Sequence, residues 1–467
     1  MAPGSTDNPL RVALIGSGPA AFYTAEHLLG RDDLSVQVDM YERLPTPFGL
    51  VRFGVAPDHA KIKNVVRVYD KIAGRPGFSF FGNVDYGADV ILEDLRRHYH
   101  QVCFATGAQT DRRMGIPGED LARSHTATEF VAWYNGHPDY RDREFDLSVE
   151  RVAVVGIGNV AVDVARILCR TPQELASTDI ADYALDALSH SRVKEVVVLA
   201  RRGPAQAACT NAEVKELGEL EGADFVLRPE EVELDELSRE AVEASDDPAL
   251  RKKVEILQAA AARPVAGKGR TLTLRFLVSP LELIGDAAGG VAGMKLVQNE
   301  LHLSEDGSLR PRPTERVEEL PVDMVFRSVG YRGVPLPDLP FNERWGTVPN
   351  EDGRVVPQYG GDPLTGLYVS GWIKRGPSGV IGTNKPDAAE TVARMVEDAR
   401  AGRLLNPPHP DPEAARAMVH ERQPQAVSFE QWRALDRMEV ERGEAAGRPR
   451  VKFCSVEEML AALSARD

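Results

Sequence analysis

Two glycine-rich turns, each directly after a short apolar strand and directly before a helical pattern, constrain the fold of this chain more than any other feature. In the first unit, residues 11–15 form the predicted strand and residues 16–21 the turn. In the second unit, residues 152–155 are followed by a turn at residues 156–161. A strand, a glycine turn and a helix in this order open a dinucleotide-binding unit with a parallel sheet. The sequence therefore predicts an α/β protein with two Rossmann-like domains.

The residues of the first turn have separate physical roles. Gly16 permits the tight turn, Gly18 lets the backbone approach a pyrophosphate, and Ala21 lets the helix pack closely on the strand. The diphosphate of a ligand would lie at the N-terminus of this helix, where backbone amides are unpaired. A second apolar strand, residues 36–41, leads to Glu42, an acidic residue at the position that binds a ribose diol in such units.

The matching strand of the second unit, residues 195–199, ends next to two basic residues, Arg201 and Arg202. A carboxylate accepts hydrogen bonds from a free diol, whereas guanidinium groups pair with a phosphate. We therefore expect two different dinucleotides, one without a 2'-phosphate near Glu42 and one with it near Arg201. FAD and NADP are the simplest such pair, and a solvated arginine pair with no ligand is the alternative.

Two further segments have the small residues that let a backbone lie against a cofactor. Residues 102–104 form a predicted strand that leads to the turn at residues 105–108, which includes Gly107. Residues 366–372 form another predicted strand, followed by a glycine-rich stretch, and Trp372 at the end of this strand would contact a planar ligand. An ordinary strand exit for the first segment and a core position for Trp372 are the alternatives.

Length, charge and cysteine spacing exclude several classes of protein. A chain of 467 residues is too long for one hydrophobic core and predicts two or three domains. A net charge of −15 argues against non-specific nucleic-acid binding, and no apolar run approaches the roughly 18 residues of a membrane span. Residues 1–10 lack the features of a secretory signal and predict a flexible leader on a cytoplasmic protein.

The cysteines are too widely separated to form a redox pair, a zinc site or an iron–sulfur site; they are Cys103, Cys169, Cys209 and Cys454. Any redox chemistry would therefore need a bound organic cofactor. No metal site is predicted.

The sequence resembles the adrenodoxin reductase type of NADPH:ferredoxin oxidoreductase, with the actinobacterial members most similar. The resemblance extends over roughly residues 10–400. Its specific motifs are residues 41–52, 54–59, 156–163, 201–204 and 371–377.

The resemblance implies an FAD-dependent ferredoxin–NADP(+) reductase, with hydride transfer between NADPH and FAD and single-electron transfer to an iron–sulfur protein. It implies an FAD domain made of residues 1–108 and 328–467, with residues 405–467 as a C-terminal extension. An NADP domain, residues 109–327, would be inserted between these parts. Since no ferredoxin module follows in this sequence, the ferredoxin-type partner is expected to be a separate protein.

The resemblance also implies the residues that contact each cofactor. By motif match, the FAD contacts are Ala20, Glu42, Leu50, Trp372, Gly379, Val380 and Ile381. The NADP contacts are Ile157, Gly158, Asn159, Val160, Arg201, Arg202 and Glu213, with Arg112 as a further candidate.

His59 is the candidate for charge support of hydride transfer, because it lies beside Asp58 and Lys61 in one of the motifs. The resemblance implies Glu216 as its partner. A satisfied structural histidine is the alternative.

Docking of an acidic ferredoxin on this acidic chain would need a local basic face. The candidate pairs are Arg96 with Arg97, Lys61 with Lys63, and Lys374 with Arg375.

Two rival classes remain at this point. The flavin subunit of a glutamate synthase would usually have N-terminal cysteines for iron–sulfur clusters, which are absent here. A redox sensor that binds both dinucleotides without turnover is the second.

Overall fold

The computed structural model describes residues 3–465. The strands are β1 (Leu10–Ile15), β2 (Val36–Tyr41), β3 (Phe78–Phe81), β4 (Gln101–Phe104), β5 (Thr110–Asp111), β6 (Ser124–Thr126), β7 (Arg151–Val155), β8 (Glu195–Leu199), β9 (Ala223–Leu227), β10 (Arg270–Arg275), β11 (Val278–Gly285), β12 (Val291–Leu303), β13 (Leu309–Leu320), β14 (Met324–Arg327), β15 (Tyr331–Arg332), β16 (Asn350–Glu351), β17 (Arg354–Val355) and β18 (Leu367–Val369).

The helices are α1 (Pro19–Leu29), α2 (Leu50–Phe53), α3 (Ala60–Lys63), α4 (Val66–Ala73), α5 (Leu92–His98), α6 (Ala127–Tyr134), α7 (Asn159–Cys169), α8 (Pro172–Ala176), α9 (Asp182–Ser189), α10 (Asn211–Leu217), α11 (Pro229–Val232), α12 (Glu236–Ala244), α13 (Pro248–Ala261), α14 (Trp372–Arg375), α15 (Asn384–Arg400), α16 (Pro412–Arg422), α17 (Phe429–Ala445) and α18 (Val456–Ser464). Short 3-10 turns lie at Pro138–Tyr140, Pro204–Gln206 and Ile381–Thr383. Among the helices of residues 3–465, none has both the length and the apolar character that a membrane crossing requires.

Segments from both ends of the chain form a seven-stranded sheet with the order β16-β17-β18-β4-β1-β2-β3. The five strands from β18 to β3 are parallel. Their carboxyl ends therefore meet at one edge, where the loops after β1, β2, β4 and β18 lie together. Open α/β sheets generally bind their ligands at this edge.

A second sheet has the order β6-β14-β7-β8-β10-β9, and every neighbouring pair in it is parallel. Its strands come from the part of the chain between β4 and β18. The predicted α/β class with two Rossmann-like units is confirmed. The domain boundaries at residues 108/109 and 327/328 stay a prediction.

A three-stranded antiparallel sheet, β11-β12-β13, follows the second sheet. The sequence predicts one strand over residues 271–278, but the structure divides this segment between β10 and β11. Leu277 has a φ of +55°, a left-handed conformation that turns the chain out of the parallel sheet. A two-stranded ribbon, β5 with β15, connects the segments that leave and re-enter the first sheet.

Successive side chains along β1 point to opposite faces of the first sheet, and the core around this sheet therefore has two layers. Leu14 packs in a cluster with Phe22 and Trp432, whereas Ile15 packs in a cluster on the other face with Phe104. Such strands are buried on both faces, as is typical of parallel sheets. Because Trp432 belongs to α17, the C-terminal extension completes one of these layers.

The prediction of a flexible leader over residues 1–10 is wrong for residues 3–10, the part that the structure describes. Leu10 is the first residue of β1 and is fully buried. The Gly4 amide donates to the Asn8 carbonyl, and the Ser35 amide donates to the Gly4 carbonyl. The start of the chain is therefore tied to the sheet through these hydrogen bonds, while residues 1 and 2 lie outside the described part.

A buried cluster of charges joins the C-terminal extension to both sheets. Lys452 donates from Nζ to the Asn135 carbonyl at 3.1 Å and to the Arg52 carbonyl at 3.4 Å. Its Nζ lies 3.2 Å from Asp179, which also accepts from Lys63 at 2.7 Å. Two ammonium groups thus share one carboxylate away from water.

Candidate functional site

The first glycine turn has the geometry that its sequence predicts. Gly16 has a φ of +102°, and a Cβ there would lie 2.7 Å from the Ala105 carbonyl oxygen. A Cβ on Gly18 would meet nothing within 4 Å, so open space lies in front of the start of α1. Ala21 is fully buried against the sheet. Because α1 has no side-chain cap, its first amides are free to bind an anion.

Glu42 lies beside this turn. The Gly16 amide donates to the Tyr41 carbonyl, which brings the end of β2 next to the turn. Glu42 accepts from the Ser17 hydroxyl at 2.5 Å and from the Leu44 amide at 3.1 Å. Burial raises the pKa of Glu42, and these two hydrogen bonds oppose the shift.

The loop at residues 48 and 49 closes over the same turn, and sequence reasoning missed it. Phe48 has a φ of +86°, which is a strained value for a bulky side chain. Its amide donates to the Ser17 carbonyl, and a Cβ on Gly49 would lie 3.1 Å from the Gly18 Cα. The Trp432 ring of α17 holds Phe48 in an edge-to-face contact with centroids 5.8 Å apart.

The second glycine turn repeats the first. Gly156 has a φ of +125°, and a Cβ there would clash with the Ser328 carbonyl oxygen after β14. A Cβ on Gly158 would meet nothing within 4 Å, and α7 starts without a side-chain cap. The Ile157 carbonyl accepts from the Cys209 amide, and Asn159 Oδ1 accepts from the Thr210 amide at 3.1 Å.

Two side chains complete the predicted surroundings of this turn. Val160 is partly buried and packs against the core of the second sheet. Glu213 lies on α10, directly beyond the Thr210 cap, and is 6 % exposed with no hydrogen-bond partner for Oε2. An acidic oxygen of this kind is free to accept from a ligand.

Arg201 and Arg202 follow β8 at the carboxyl edge of the second sheet, where the Gly156 amide donates to the Leu199 carbonyl. Arg201 is exposed and Arg202 is half-buried. Within residues 3–465, neither guanidinium forms an ion pair or a side-chain hydrogen bond. Burial, and then the charge of Arg201, lowers the pKa of Arg202. Two adjacent cations without a carboxylate favour an anionic ligand over a solvated pair.

The segment after β18 returns to the first turn. Gly371 has a φ of +79°, and a Cβ there would lie 2.5 Å from the Ala20 Cβ. The Gly371 amide donates to Asp387 of α15 at 2.6 Å. The expected strand over residues 366–372 is shorter, because β18 ends at Val369 and Trp372 begins α14.

Trp372 is half-buried, with its ring centroid 5.4 Å from that of Tyr331. Its Nε1 donates to the Ser378 carbonyl at 3.1 Å, which holds the loop at residues 376–383 against α14. This partial exposure is unlike that of a core tryptophan.

Several predicted flavin contacts form open surface rather than core. Val380 is 53 % exposed and Leu50 is 36 % exposed, although both are apolar. Ile381 is half-buried and Gly379 is exposed with a φ of +78°. Gly107 has a φ of +74°, and a Cβ there would meet nothing within 4 Å. Exposed apolar groups beside empty glycine faces fit a planar ligand such as FAD.

Arg112 contacts the segment after β14, whose Ser328 faces Gly156 of the second turn. It follows β5, donates from its amide to the Gly330 carbonyl and contacts the Trp345 carbonyl through Nη2 at 3.4 Å. Its role in NADP binding stays a prediction.

His59 and Glu216 meet across the two halves of the molecule. His59 is the first residue before α3, and Glu216 lies on α10. His59 Nε2 is 2.8 Å from Glu216 Oε2. Arg166 Nη1 lies 2.8 Å from the same oxygen and 2.7 Å from His59 Nε2.

Further carboxylates surround Arg166, and sequence reasoning missed this arrangement. Arg166 is fully buried; it donates to Asp58 at 2.9 Å and to Asp163, which lies one turn earlier on α7. His59 Nδ1 is 3.8 Å from Asp163. The available signal was Asp163 and Arg166 among the apolar residues of α7, since buried charges require partners.

The cluster holds groups that titrate near neutral pH. Burial raises the pKa of Asp163 to about 6, and burial together with the Asp163 charge raises the pKa of Glu213 to about 7. Burial lowers the pKa of His59, but the hydrogen bond to Glu216 and the charges of Asp163 and Asp58 give a net increase. The hydrogen bond to His59 lowers the pKa of Glu216.

A metal ion does not suit this place, although ligand atoms of His59, Glu213 and Glu216 lie within 4.8 Å of one another. The Arg166 guanidinium already contacts two of these residues and supplies the positive charge. The cluster's carboxylates lie close enough that their charges affect one another's pKa.

The candidate docking pairs differ in exposure. Lys63 is largely buried and paired with Asp179, and Lys374 is 8 % exposed and contacts Glu390. Because both lysines are largely buried and paired, the prediction that they help to dock ferredoxin is wrong. Arg375 contacts Ser378 and Asn384, which leaves three exposed candidates, Lys61, Arg96 and Arg97.

Comparisons with known proteins identify relatives over almost the whole chain. Residues 10–219 match the family model described as pyridine nucleotide-disulphide oxidoreductase. The chain is 45 % identical over 460 residues to the NADPH-ferredoxin reductase FprA of Mycobacterium tuberculosis, covering 97 % of this chain and 98 % of that protein. It is 48 % identical to a probable ferredoxin/ferredoxin–NADP reductase of the same species, covering 97 % of this chain and 76 % of that protein.

A solved structure is similar over the same length. Mycobacterium tuberculosis FprA in complex with NADPH has a TM-score of 0.91 and 42 % sequence identity, covering 98 % of this chain and all of that chain (100 %). The NADPH:adrenodoxin oxidoreductase of Salvelinus fontinalis is 41 % identical over 471 residues, covering 98 % of this chain and 92 % of that protein.

Two parallel sheets, each with an open glycine turn, define the class of flavoprotein oxidoreductases that bind FAD and a pyridine nucleotide. Within that class, the similarity extends over both sheets and the C-terminal helices. The chain belongs to the family of NADPH-dependent ferredoxin reductases that includes FprA and the adrenodoxin reductases.

Proposed function

We propose that this protein is an FAD-dependent ferredoxin–NADP(+) reductase that exchanges electrons between NADPH and a separate ferredoxin-type iron–sulfur protein. The observation that carries the proposal is the opposite charge beside two otherwise equal turns. Glu42 lies beside the first turn, and the unpaired Arg201 and Arg202 follow the strand beside the second. Bound FAD would supply the redox chemistry, because flavins accept a hydride and release electrons singly.

The first turn and the return from β18 support FAD binding. Gly16 permits the tight turn, Gly18 leaves room for the diphosphate, Ala20 and Ala21 lie in the first turn of α1, and Glu42 would accept from the adenosine ribose. Small or apolar groups that are exposed or half-buried would contact the isoalloxazine; these are Leu50, Gly107, Trp372, Gly379, Val380 and Ile381.

The second turn supports NADP binding. Residues 157–160 would present backbone amides to the pyrophosphate at the start of α7. Arg201 and Arg202 would pair with the 2'-phosphate, and Glu213 would accept a hydrogen bond from the nucleotide. Arg112 is proposed as an additional cation for NADP.

His59 and Glu216 are proposed as charge support for hydride transfer. Their cluster includes Asp163, in the second turn of α7, one helical turn beyond Asn159. The protein would thereby place titratable charge close to the start of the NADP-binding helix. These residues would position the reacting groups and stabilise charge, without forming a covalent bond to the substrate.

The domain organisation and location belong to the same proposal. We assign residues 1–108 and 328–467 to the FAD domain and residues 109–327 to the NADP domain, which follows the strand composition of the two sheets. A cytoplasmic location is supported by the four cysteines, which are all free and buried in the described chain.

The test is electron transfer by purified holoprotein to a panel of ferredoxins from the same organism. NADPH should bleach the flavin absorbance rapidly, and ferredoxin-dependent reduction of cytochrome c should follow, with NADH much less effective. Rapid bleaching without transfer to any ferredoxin would contradict the acceptor class. Slow or absent bleaching would favour a dinucleotide-binding redox sensor instead.

A further inference from the structure

Asn299 is a buried amide on β12 that contacts the backbone of the loop carrying Arg201 and Arg202. It is 4 % exposed. Its Nδ2 donates to the Arg201 carbonyl at 2.9 Å and to Ser279 Oγ at 2.8 Å. The three-stranded sheet, which contributes none of the predicted nucleotide contacts, thus reaches the end of β8 through one side chain.

The backbone around Asn299 strengthens this connection. The Asn299 amide donates to the Leu277 carbonyl at 2.7 Å, and the Leu277 amide donates to the Arg202 carbonyl at 3.2 Å. Leu277 is the left-handed residue between β10 and β11, and the β12–β13 register shifts between Val297 and Asn299. An irregular turn and a bulge therefore meet where they hold both arginine carbonyls. Bulges of this kind commonly re-aim a side chain next to a functional site.

Neither guanidinium is fixed by its own side-chain contacts. Within the described chain, Arg201 and Arg202 have no carboxylate or hydrogen-bond partner for their side chains, so their position depends on the backbone from which they extend. Like charges on adjacent residues also repel each other. The side chains of Arg201 and Arg202 alone would therefore not fix the conformation of this loop.

We propose that Asn299 is a positioning residue for the discrimination between NADPH and NADH. Its amide holds the Arg201 carbonyl and so keeps the two guanidinium groups directed at an adenosine 2'-phosphate. This inference rests on the proposed function, because it requires that Arg201 and Arg202 bind that phosphate. It adds a residue outside the nucleotide site that acts only through the arginine loop.

The test measures binding of adenosine 2',5'-bisphosphate and of ADP to the holoprotein by calorimetry. The bisphosphate carries a phosphate at the 2' position, whereas ADP has a free 2'-hydroxyl and carries both of its phosphates at the 5' end. Asn299→Ala should bind the bisphosphate about 3- to 10-fold more weakly, the range expected for one hydrogen bond, and ADP within about twofold of the wild type. The KM for NADPH should rise similarly, while kcat and the KM for NADH stay unchanged.

Two comparisons separate this role from general damage to the fold. Gln298→Ala alters the neighbouring side chain, which is exposed and lies on the other face of β12, and it should leave both affinities unchanged. Asn299→Asp keeps the side-chain size but places an oxygen against the Arg201 carbonyl, so it should lose at least as much bisphosphate affinity as Asn299→Ala. It also serves as the readout if Asn299→Ala does not fold.

A parallel Arg201→Ala variant distinguishes failure of the inference from failure of the function. If Arg201→Ala weakens the bisphosphate but both Asn299 variants do not, the positioning role is overturned and the 2'-phosphate site stands. If Arg201→Ala has no effect on the bisphosphate, both are overturned. An equal loss of bisphosphate and ADP in the Asn299 variants indicates a structural role and also overturns the inference.

Discussion

His59 Nε2 lies 2.8 Å from Glu216 Oε2 although 157 positions separate the two residues in the chain. The first belongs to a loop after β2, and the second to a helix after β8. Their contact joins the segment next to the FAD turn with the segment next to the NADP turn. The charge state of His59 therefore depends on how the two halves of the molecule meet.

Replacing Glu216 should shift the titration of His59. Glu216→Gln retains a hydrogen-bonding group but removes the negative charge, so the pKa of His59 should fall. The pH dependence of flavin reduction by NADPH, measured in single turnovers, should move to lower pH by the same amount. Glu219→Gln, an exposed position on the same segment, is the control. An unchanged profile in Glu216→Gln would exclude His59 as the group that titrates in this step.

Arg201→Ala should weaken NADPH by roughly 10- to 100-fold, or about 1.5 to 3 kcal/mol for a charge-assisted contact. NADH kinetics should barely change, because NADH has no 2'-phosphate. Arg192→Ala removes a cation at the opposite end of β8 and serves as the matched control. Equal loss for both coenzymes in steady-state assays would argue against the 2'-phosphate assignment.

Gly371→Ala should weaken flavin retention more than a glycine substitution elsewhere. The new methyl group would lie 2.5 Å from the Ala20 Cβ and push against the start of α1. Gly402→Ala is the control, because Gly402 also has a positive φ, +70°, but open space around a Cβ. Both should lose about 1 to 2 kcal/mol from backbone strain, and Gly371→Ala a further 1 to 3 kcal/mol or so from the clash. Thermal unfolding and the fluorescence of released FAD measure the difference, and equal values for both variants would contradict it.

Removing the shared carboxylate of the buried cluster should cost more than removing one of its lysines. Asp179→Asn leaves Lys63 and Lys452 buried without a counter-charge and should lose about 3 to 5 kcal/mol of unfolding free energy. Lys452→Met removes a buried charge and should cost much less. Urea unfolding compares the two variants, and the reverse order would show that Asp179 is not the compensating charge.

The same lysine makes stability depend on pH. Burial lowers the pKa of Lys452 to about 7, from the usual lysine value of 10.5 that applies to the unfolded chain. Between these values the unfolded state binds more protons, so the contribution of Lys452 to stability rises with pH, by at most about 1.4 kcal/mol per unit. The difference in unfolding free energy between wild type and Lys452→Met should therefore grow from pH 7 to pH 10. A constant difference would contradict the lowered pKa.

Electron transfer to ferredoxin should slow as salt increases if docking is electrostatic. Transfer to a neutral acceptor should be nearly independent of salt. Charge reversal at Arg96 and Arg97, which are exposed, tests one candidate face, with Arg400→Glu as a control on α15. No salt effect with ferredoxin would exclude electrostatic docking.

The nucleotide-binding units were predictable because their signals are local. Strand, turn and helix follow one another in the chain. In the structure, Gly16 and Gly156 both pack with positive φ against a neighbouring strand end, and Gly18 and Gly158 both face open space. The resemblance also supplied the pairing of His59 with Glu216.

Other parts of the site depend on contacts between distant segments and have no local pattern. In the sequence, Arg166 has only Asp163 as a nearby charge on α7, and only folding brings Asp58 and Glu216 to it. The strained Phe48 is held by Trp432 from the end of the chain, and Asn299 reaches Arg201 across two sheets. These contacts form only when distant segments pack together, so no periodic pattern in the sequence predicts them.

The position of β18 beside β4 has a consequence for synthesis on the ribosome. Every strand of the second sheet is translated before Leu367, whereas the first sheet cannot close until β18 and the segment at Gly371 have emerged. A nascent chain could thus form the second sheet while its first sheet still exposes an unpaired edge on β4. Flavin capture should accordingly be a late event in biogenesis, after β18 and the segment at Gly371 have left the ribosome.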